Sequence, residues 1–340
     1  MKLRPDLAEI PVYIPGKRLD DALKLSSNEV PQSPLPAAIQ AMADAAAGVN
    51  RYPDMGVVAV REALAEYLAL TPEHIAVGVG SSALCLQLAQ ITSGPGDEIV
   101  FPWRSFEAYP IFTKIAGATP VQVPLDEHHR LDLPAIAAAV TDKTRLIFIC
   151  NPNNPTGTTI TEADFIEFMH QVPSDVVVAL DEAYFEYIRD EQSPIATKLV
   201  HQFDNLVGLR TFSKAFGLAG TRIGYAFGNP DLMVALNKVG IPFGVNAVAQ
   251  AGALASLEHI DELLARTDEV VEQRIRAAAH IGAVPSESNF IWYPCDDAPA
   301  RTQALLDNGV IIRGFPDGIR ITITTKEETD RLLEVWDSLY

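Results

Sequence analysis

The chain has 340 residues, 48% of them hydrophobic and 21% charged, and carries a net charge of −18. That length suits one large domain with a smaller companion, and the composition is that of an ordinary globular protein. The acidic balance argues against nucleic acid and anionic membranes as partners, because both require a basic face.

The opening residues, MKLRPDLAEIPVYIPGKRL, are broken by charges and prolines and hold no apolar core of signal-peptide length. No run reaches the ~18 apolar residues of a membrane span. Cys85, Cys150 and Cys295 are widely spaced, so neither a disulfide framework nor a zinc site is expected, and no metal is assigned. A reducing, cytoplasmic compartment is the expectation. The pair His128-His129, in LDEHHRLD, reads as a solvated turn.

Short apolar runs then alternate with helical patterns, which signals an α/β fold with a mostly parallel sheet. Residues 74–80, 97–102, 119–125, 145–150, 175–180 and 205–210 read as strands, and 82–92, 105–117 and 161–172 as helices between them. After about Asn246 the texture changes. Residues 247–283 are rich in helix formers and read as long helices leaving the sheet. Residues 289–294, 309–315 and 318–324 read as strands of a small α+β unit, closed by a helix at 326–339. The expected division is an N-terminal segment, 1–35, packing on the small unit, a large domain, 36–246, and a small C-terminal domain, 247–340.

Ligand groups in open α/β sheets collect at the C-terminal ends of strands. Four stretches fall there. GVGSSALCLQL offers a glycine turn and a helix start at Ser81-Ser82-Ala83, a place for an anion, although a plain serine cap explains it as well. CNPNNPTG presents Asn154 at a strand end, either as a turn residue or as a donor to a ligand. DVVVALDEAY delivers Asp181, with Tyr184 three residues on. This is either a helix-capping carboxylate or the partner of a cationic ring nitrogen, with the tyrosine bonding a ring oxygen. LRTFSKAFGLAGTRIG sets Lys214 among few charges, with Thr211, Ser213 and Arg222 nearby. A poorly solvated ammonium loses its proton readily, and the neutral amine attacks carbonyls. That is how pyridoxal phosphate is held, as a Schiff base, while the hydroxyls and arginine suit a phosphate.

The series NPNNPTG, DEAY and SKAFGLAGTRIG resembles the fold-type-I aminotransferases dependent on pyridoxal 5'-phosphate, in the branch that contains the histidinol-phosphate aminotransferases. The resemblance covers nearly the whole chain, including YIPGK, KLSSNE, NRYPD and IRITIT. Within the branch, KLSSNEVPQSPLP, GSSALCLQL and FPWRSFEAYPIF are similar to the aromatic amino acid (phenylalanine) aminotransferases of actinobacterial type. Histidinol-phosphate enzymes more often carry an acidic pair where Ser82-Ala83 stands, and NENP where this chain has NEVP.

The resemblance implies a large domain with a mostly parallel seven-stranded sheet and a small α+β domain. It makes Lys214 the Schiff-base lysine and Asp181 the partner of the pyridinium nitrogen, with Asn154 and Tyr184 bonding the ring oxygen. Backbone N–H groups of Ser82 and Ala83 would meet the phosphate, joined by Thr211, Ser213 and Arg222. Phe106 would stack on the ring. Tyr52 would reach the phosphate of a neighbouring subunit, which implies a homodimer. Arg320 would bind the substrate α-carboxylate, while Tyr13, Asn28 and Arg313 line the pocket. The implied reaction is a ping-pong transamination between an aromatic amino acid and 2-oxoglutarate. Histidinol phosphate is the alternative substrate.

Overall fold

A computed structural model describes residues 1–3, 5–10, 12, 19 and 21–340. Twelve strands lie among the described residues, in three sheets. A two-residue strand near the start is β1 (Leu23–Lys24). The large sheet comprises β2 (Ile75–Gly78), β3 (Glu98–Trp103), β4 (Thr119–Pro124), β5 (Thr144–Cys150), β6 (Val177–Asp181), β7 (Leu206–Thr211) and β8 (Gly224–Gly228). The remaining four are β9 (Phe290–Pro294), β10 (Val310–Ile311), β11 (Arg313–Phe315) and β12 (Gly318–Thr322).

The large sheet runs in the order β2-β8-β7-β6-β5-β3-β4. Its five strands from β7 to β4 are parallel, and β8 is antiparallel to both neighbours. Alternation within each strand builds two cores. Ile147, Ile149, Val178 and Leu180 face one side, under the helix Glu162–Gln171. Leu146, Phe148, Val177 and Ala179 face the other, under the helices Ser81–Thr92 and Tyr109–Ala116. Burial on both faces explains why these strands read as continuous apolar runs.

Six large-sheet strands fall where the apolar runs place them, and β8 is the one the sequence reading did not mark. Its glycines hid it, since glycine weakens a strand signal. Both are required by close backbone approach: a Cβ on Gly224 would strike the backbone of Ser81, and one on Gly228 the carbonyl of Leu206. The expected helix at 105–117 begins only at Tyr109, with Pro110 in its first turn, where no N–H is needed.

Two expectations for the C-terminal third are corrected. The stretch 247–283 forms two helices, Ala247–Glu258 and Ile260–Ile281, broken at the non-helical His259. The first does not leave the sheet: Ala249, Ala253 and Leu257 belong to the large core. Its small residues let it lie close against the helix Pro36–Ala46, with Gly252 over Met42. The long second helix carries the chain across, so that Ala277 and Ile281 join the small core with Ile291, Ile319 and Trp336. The expected single strand at 309–315 divides at Ile312. β10 pairs with β1, whereas β11 pairs with β12, which also pairs with β9. Leu23 and Leu25 enter the small core, so this part of the N-terminal segment docks on the small unit.

Candidate active site

Strand β3 connects outward to its neighbour β4, while β5, β6 and β7 advance in the opposite direction. Such a reversal opens a crevice beyond the carboxyl ends of the strands. A cavity of about 220 Å³ lies there, between those ends and the small sheet. It collects side chains from the loops after β3, β5 and β7, from the end of β6, and from β11 and β12.

Lys214 follows β7 and reaches the cavity from one side. Its Nζ donates to the backbone carbonyls of Ser27, at 3.4 Å, and Asn28, at 3.3 Å. Loss of hydration, reinforced by Arg320 and Arg222, brings its pKa down to about 8. Asn28 holds a left-handed backbone with φ of 54°. Its side-chain amide donates to the Tyr184 hydroxyl at 2.9 Å, and its N–H donates to Thr322 Oγ1 at 3.0 Å. Because a phenol both accepts and donates, the Tyr184 proton remains available for a ligand oxygen.

Asp181 closes β6 and is 3% exposed. Its Oδ2 accepts from the Tyr109 hydroxyl at 2.7 Å and its Oδ1 from the Ala183 N–H at 3.2 Å. Burial lifts its pKa to about 6 against the pull of these bonds. Alternation turns the next residue, Glu182, away from the cavity, where it pairs with buried Arg210 at 2.8 Å. Cys150 lines the floor, and burial pushes its thiol well up, so it stays protonated.

The helix Ser81–Thr92 points its N-terminus at the same space, with Ser81 and Ser82 on the cavity surface. Gly80 precedes it at φ of 80°, and a Cβ there would collide with the Arg222 guanidinium. Arg222 Nη1 donates to Ser213 Oγ at 3.2 Å and to the Ala219 carbonyl at 2.8 Å. Thr211 Oγ1 accepts the Ser213 N–H at 3.1 Å. Free N–H groups, hydroxyls and a guanidinium around a helix start suit a phosphate. Ala83 departs from its expected place: its N–H is donated to the Gly80 carbonyl at 3.1 Å, and it does not reach the cavity surface.

Arg320, on β12, is 6% exposed. It donates to Asn154 Oδ1 at 2.5 Å and to the Ser26 carbonyl at 2.7 Å. The Asn154 amide nitrogen is then the donor left for a ring oxygen. Arg313, directly across the strand pair from Arg320, lines the same cavity, as does half-buried Phe106. Tyr52 lies outside it, 82% exposed and packed on Phe243 with ring centroids 4.6 Å apart. Tyr13 and the stretch YIPGK around it fall outside the fully described residues. Sequence reasoning missed Tyr109 and Glu107, each held through a partner distant in sequence, and the backbone carbonyls of Ser26 and Ser27.

A half-buried amine, a buried carboxylate, a helix start with hydroxyls and a guanidinium beside it, and a second guanidinium from the small sheet thus meet at the crevice of a seven-stranded sheet, an arrangement that suits pyridoxal-phosphate chemistry. The family model for aminotransferase class I and II matches residues 20–335, and the chain belongs to that family. It is 61% identical to a Corynebacterium diphtheriae protein named aromatic amino acid aminotransferase, covering 99% of both chains. A protein of the same name from Corynebacterium glutamicum is 59% identical, again over 99% of each. Among solved structures, histidinol-phosphate aminotransferase from Sinorhizobium meliloti, in complex with pyridoxal-5'-phosphate, superposes with a TM-score of 0.90. It is 29% identical and covers 100% of this chain and 98% of its own.

Proposed function

We propose that this chain is an aromatic amino acid aminotransferase, moving the amino group between L-phenylalanine, L-tyrosine or L-tryptophan and 2-oxoglutarate with pyridoxal 5'-phosphate. The observation that carries the reading is the convergence of Lys214, Asp181, Tyr184, Arg222 and Arg320 on one cavity. The full-length relatives at 61% and 59% identity support the aromatic substrate class.

The residues present fit the cofactor. Asp181 is a buried carboxylate whose two hydrogen-bond donors are neutral, so it is suited to a protonated ring nitrogen. Gly80 leaves the room beside Arg222 in which no side chain would fit. Asn154 and Tyr184 would bond the ring oxygen, Ser82, Thr211, Ser213 and Arg222 would hold the phosphate, and Phe106 would cover the ring. When bound, pyridoxal phosphate supplies an aldehyde for the amines and a ring that spreads negative charge from the substrate Cα.

The chain's own groups do the rest. Arg320 clamps the substrate α-carboxylate with a guanidinium already oriented by Asn154 and Ser26. Lys214, as the neutral amine, would take the proton from the substrate Cα and carry it on Nζ. Asp181 would hold the ring nitrogen in its protonated form. The same sites then accept the second 2-oxo acid, which gives ping-pong kinetics.

The amine requirement sets a pH dependence. Below pH 8 Lys214 is largely ammonium and cannot add to an aldehyde; above it the amine is neutral. The rate at which the apoprotein takes up pyridoxal phosphate, followed by absorbance, is therefore expected to rise with pH and level off above about 8. A rate independent of pH between 6 and 9 removes Lys214 from this role.

Substrate choice is tested by comparing kcat/KM for phenylalanine and histidinol phosphate with 2-oxoglutarate as acceptor. Phenylalanine is expected to lead by at least roughly tenfold, the scale of one well-filled apolar pocket. A reversed order assigns the enzyme to histidinol phosphate, the substrate named for the Sinorhizobium meliloti structure.

The active species in this reading is a homodimer. Tyr52, Met55 and Ile241 are 82%, 62% and 72% exposed, and Tyr52 packs on Phe243. Apolar groups gathered this way suit burial by a second copy, with Tyr52 reaching the neighbouring phosphate site. Among the described residues no helix is long and apolar enough to cross a membrane. The free thiols of Cys85, Cys150 and Cys295 suit a cytoplasmic setting.

A further inference from the structure

Among the described residues the cavity carries four cationic side chains, Lys214, Arg222, Arg313 and Arg320, against two carboxylates, Asp181 and Glu107. Arg222 and Arg320 donate to neutral oxygens. Arg313 donates to a carboxylate: its Nη2 reaches Glu107 Oε1 at 3.0 Å and Oε2 at 2.9 Å. Both partners stay partly open to the cavity, with side chains 19% and 33% exposed.

The sheet explains why a carboxylate is needed. Arg313 and Arg320 are directly opposed across β11 and β12, where like charges repel. Glu107, on the loop after β3, cancels the Arg313 charge. Arg320, held by Asn154 and Ser26, faces the same cavity. A cation that carries its own counter-ion inside a substrate cavity is a receptor that can be closed or opened by exchange of that counter-ion.

We propose that Glu107 is a specificity-determining residue, a resident anion that occupies Arg313 when the substrate side chain is neutral and aromatic and yields it to the distal carboxylate of a dicarboxylic partner. The inference rests on the transaminase reading above and assigns the two substrate classes to two states of one ion pair. With an aromatic side chain the pair stays closed, and Arg313 meets the apolar ring with its charge offset by Glu107. With a dicarboxylate the incoming anion takes over the guanidinium, and the Glu107 carboxylate turns to solvent. The exchange conserves charge at Arg313, so one cavity accepts both classes.

A purely mechanical role has a control in the same loop. Arg104 pairs with Asp317 at 2.9 Å, and this second clamp also ties the loop after β3 to the hairpin of β11 and β12. Asp317 is 57% exposed and does not line the cavity. Asp317→Asn thus loosens the loop without changing the charge within the cavity.

The experiment compares holoenzymes of wild type, Glu107→Gln, Asp317→Asn and Arg313→Gln. Two ratios are read: kcat/KM for 2-oxoglutarate over phenylpyruvate, and affinity by calorimetry for glutarate over 3-phenylpropanoate. Glu107→Gln removes the carboxylate from the Arg313 guanidinium and is expected to raise both ratios by about tenfold. Arg313→Gln is expected to lower both, and Asp317→Asn to leave both unchanged. Ratios that do not move in Glu107→Gln, or that move equally in Asp317→Asn, overturn the proposal. An enzyme without aromatic turnover defeats the functional reading, while the calorimetric ratio still decides the role of Glu107.

Discussion

Replacing Lys214 by alanine is expected to lower kcat by about 10⁴-fold, the upper range for loss of a positioned proton-transfer group. Among the described residues no other amine lines the cavity in place of Lys214, whose Nζ is directed by the carbonyls of Ser27 and Asn28. Borohydride treatment followed by peptide mapping should find a fixed pyridoxyl group at residue 214 in the wild type and none in the variant. Lys214→Arg separates amine chemistry from charge. It keeps a cation but offers no nucleophile and no exchangeable proton near neutral pH, so it should fail as completely as alanine. Turnover near the wild-type rate in either variant would falsify the assignment.

Asp181→Asn is expected to lower kcat by about 10³-fold, on the scale of losing a preorganised electrostatic contact in a buried site. The amide keeps the shape and still accepts from Tyr109, but it cannot hold positive charge opposite it. The same change should stabilise the apoprotein. Burial raises the carboxyl pKa from its ordinary 3.8 to about 6. Folded apoprotein therefore binds this proton more tightly than the unfolded chain does, and it loses stability as pH rises from about 4 to 6. Above pH 6 the full cost remains, on the order of 3 kcal/mol. Relief of part of it should raise the urea midpoint of the variant apoprotein at pH 7 and leave it unchanged near pH 3. A variant that is both inactive and less stable at pH 7 would mean that Asp181 supports the fold and not a ligand.

The parts of the site that could be read from sequence share one property: each sits where a local pattern ends. Asp181, Asn154 and Lys214 follow apolar runs that form strands, so their common location needs only the rule that parallel strands deliver their carboxyl ends to one edge. Arg222 and Ser82 were marked by glycines, because Gly80 has to admit the guanidinium. The residues that escaped notice act through contacts with no local signature. Tyr109 meets Asp181 across 72 positions, and Glu107 meets Arg313 across 206. The fold followed the same division. The runs that became β3 to β7 were legible, since strands buried on both faces must be apolar throughout. Strand β8 and the helix Ala247–Glu258 were misjudged because small residues that permit close approach look, in a one-dimensional pattern, like weak packing.

Asn28 joins segments far apart in the chain at the amine: its N–H meets Thr322 across 294 positions, and its carbonyl receives Lys214. During synthesis the large sheet is complete once β8 has emerged, yet Thr322, which accepts the Asn28 N–H, is still untranslated. Loop closure over so long a contour is slow. In refolding, recovery of turnover should therefore trail recovery of helix and sheet, and a polypeptide ending before residue 310 should lack a working centre, since Arg313, Arg320 and Thr322 are gone. In this molecule the order of translation puts the scaffold ahead of the site.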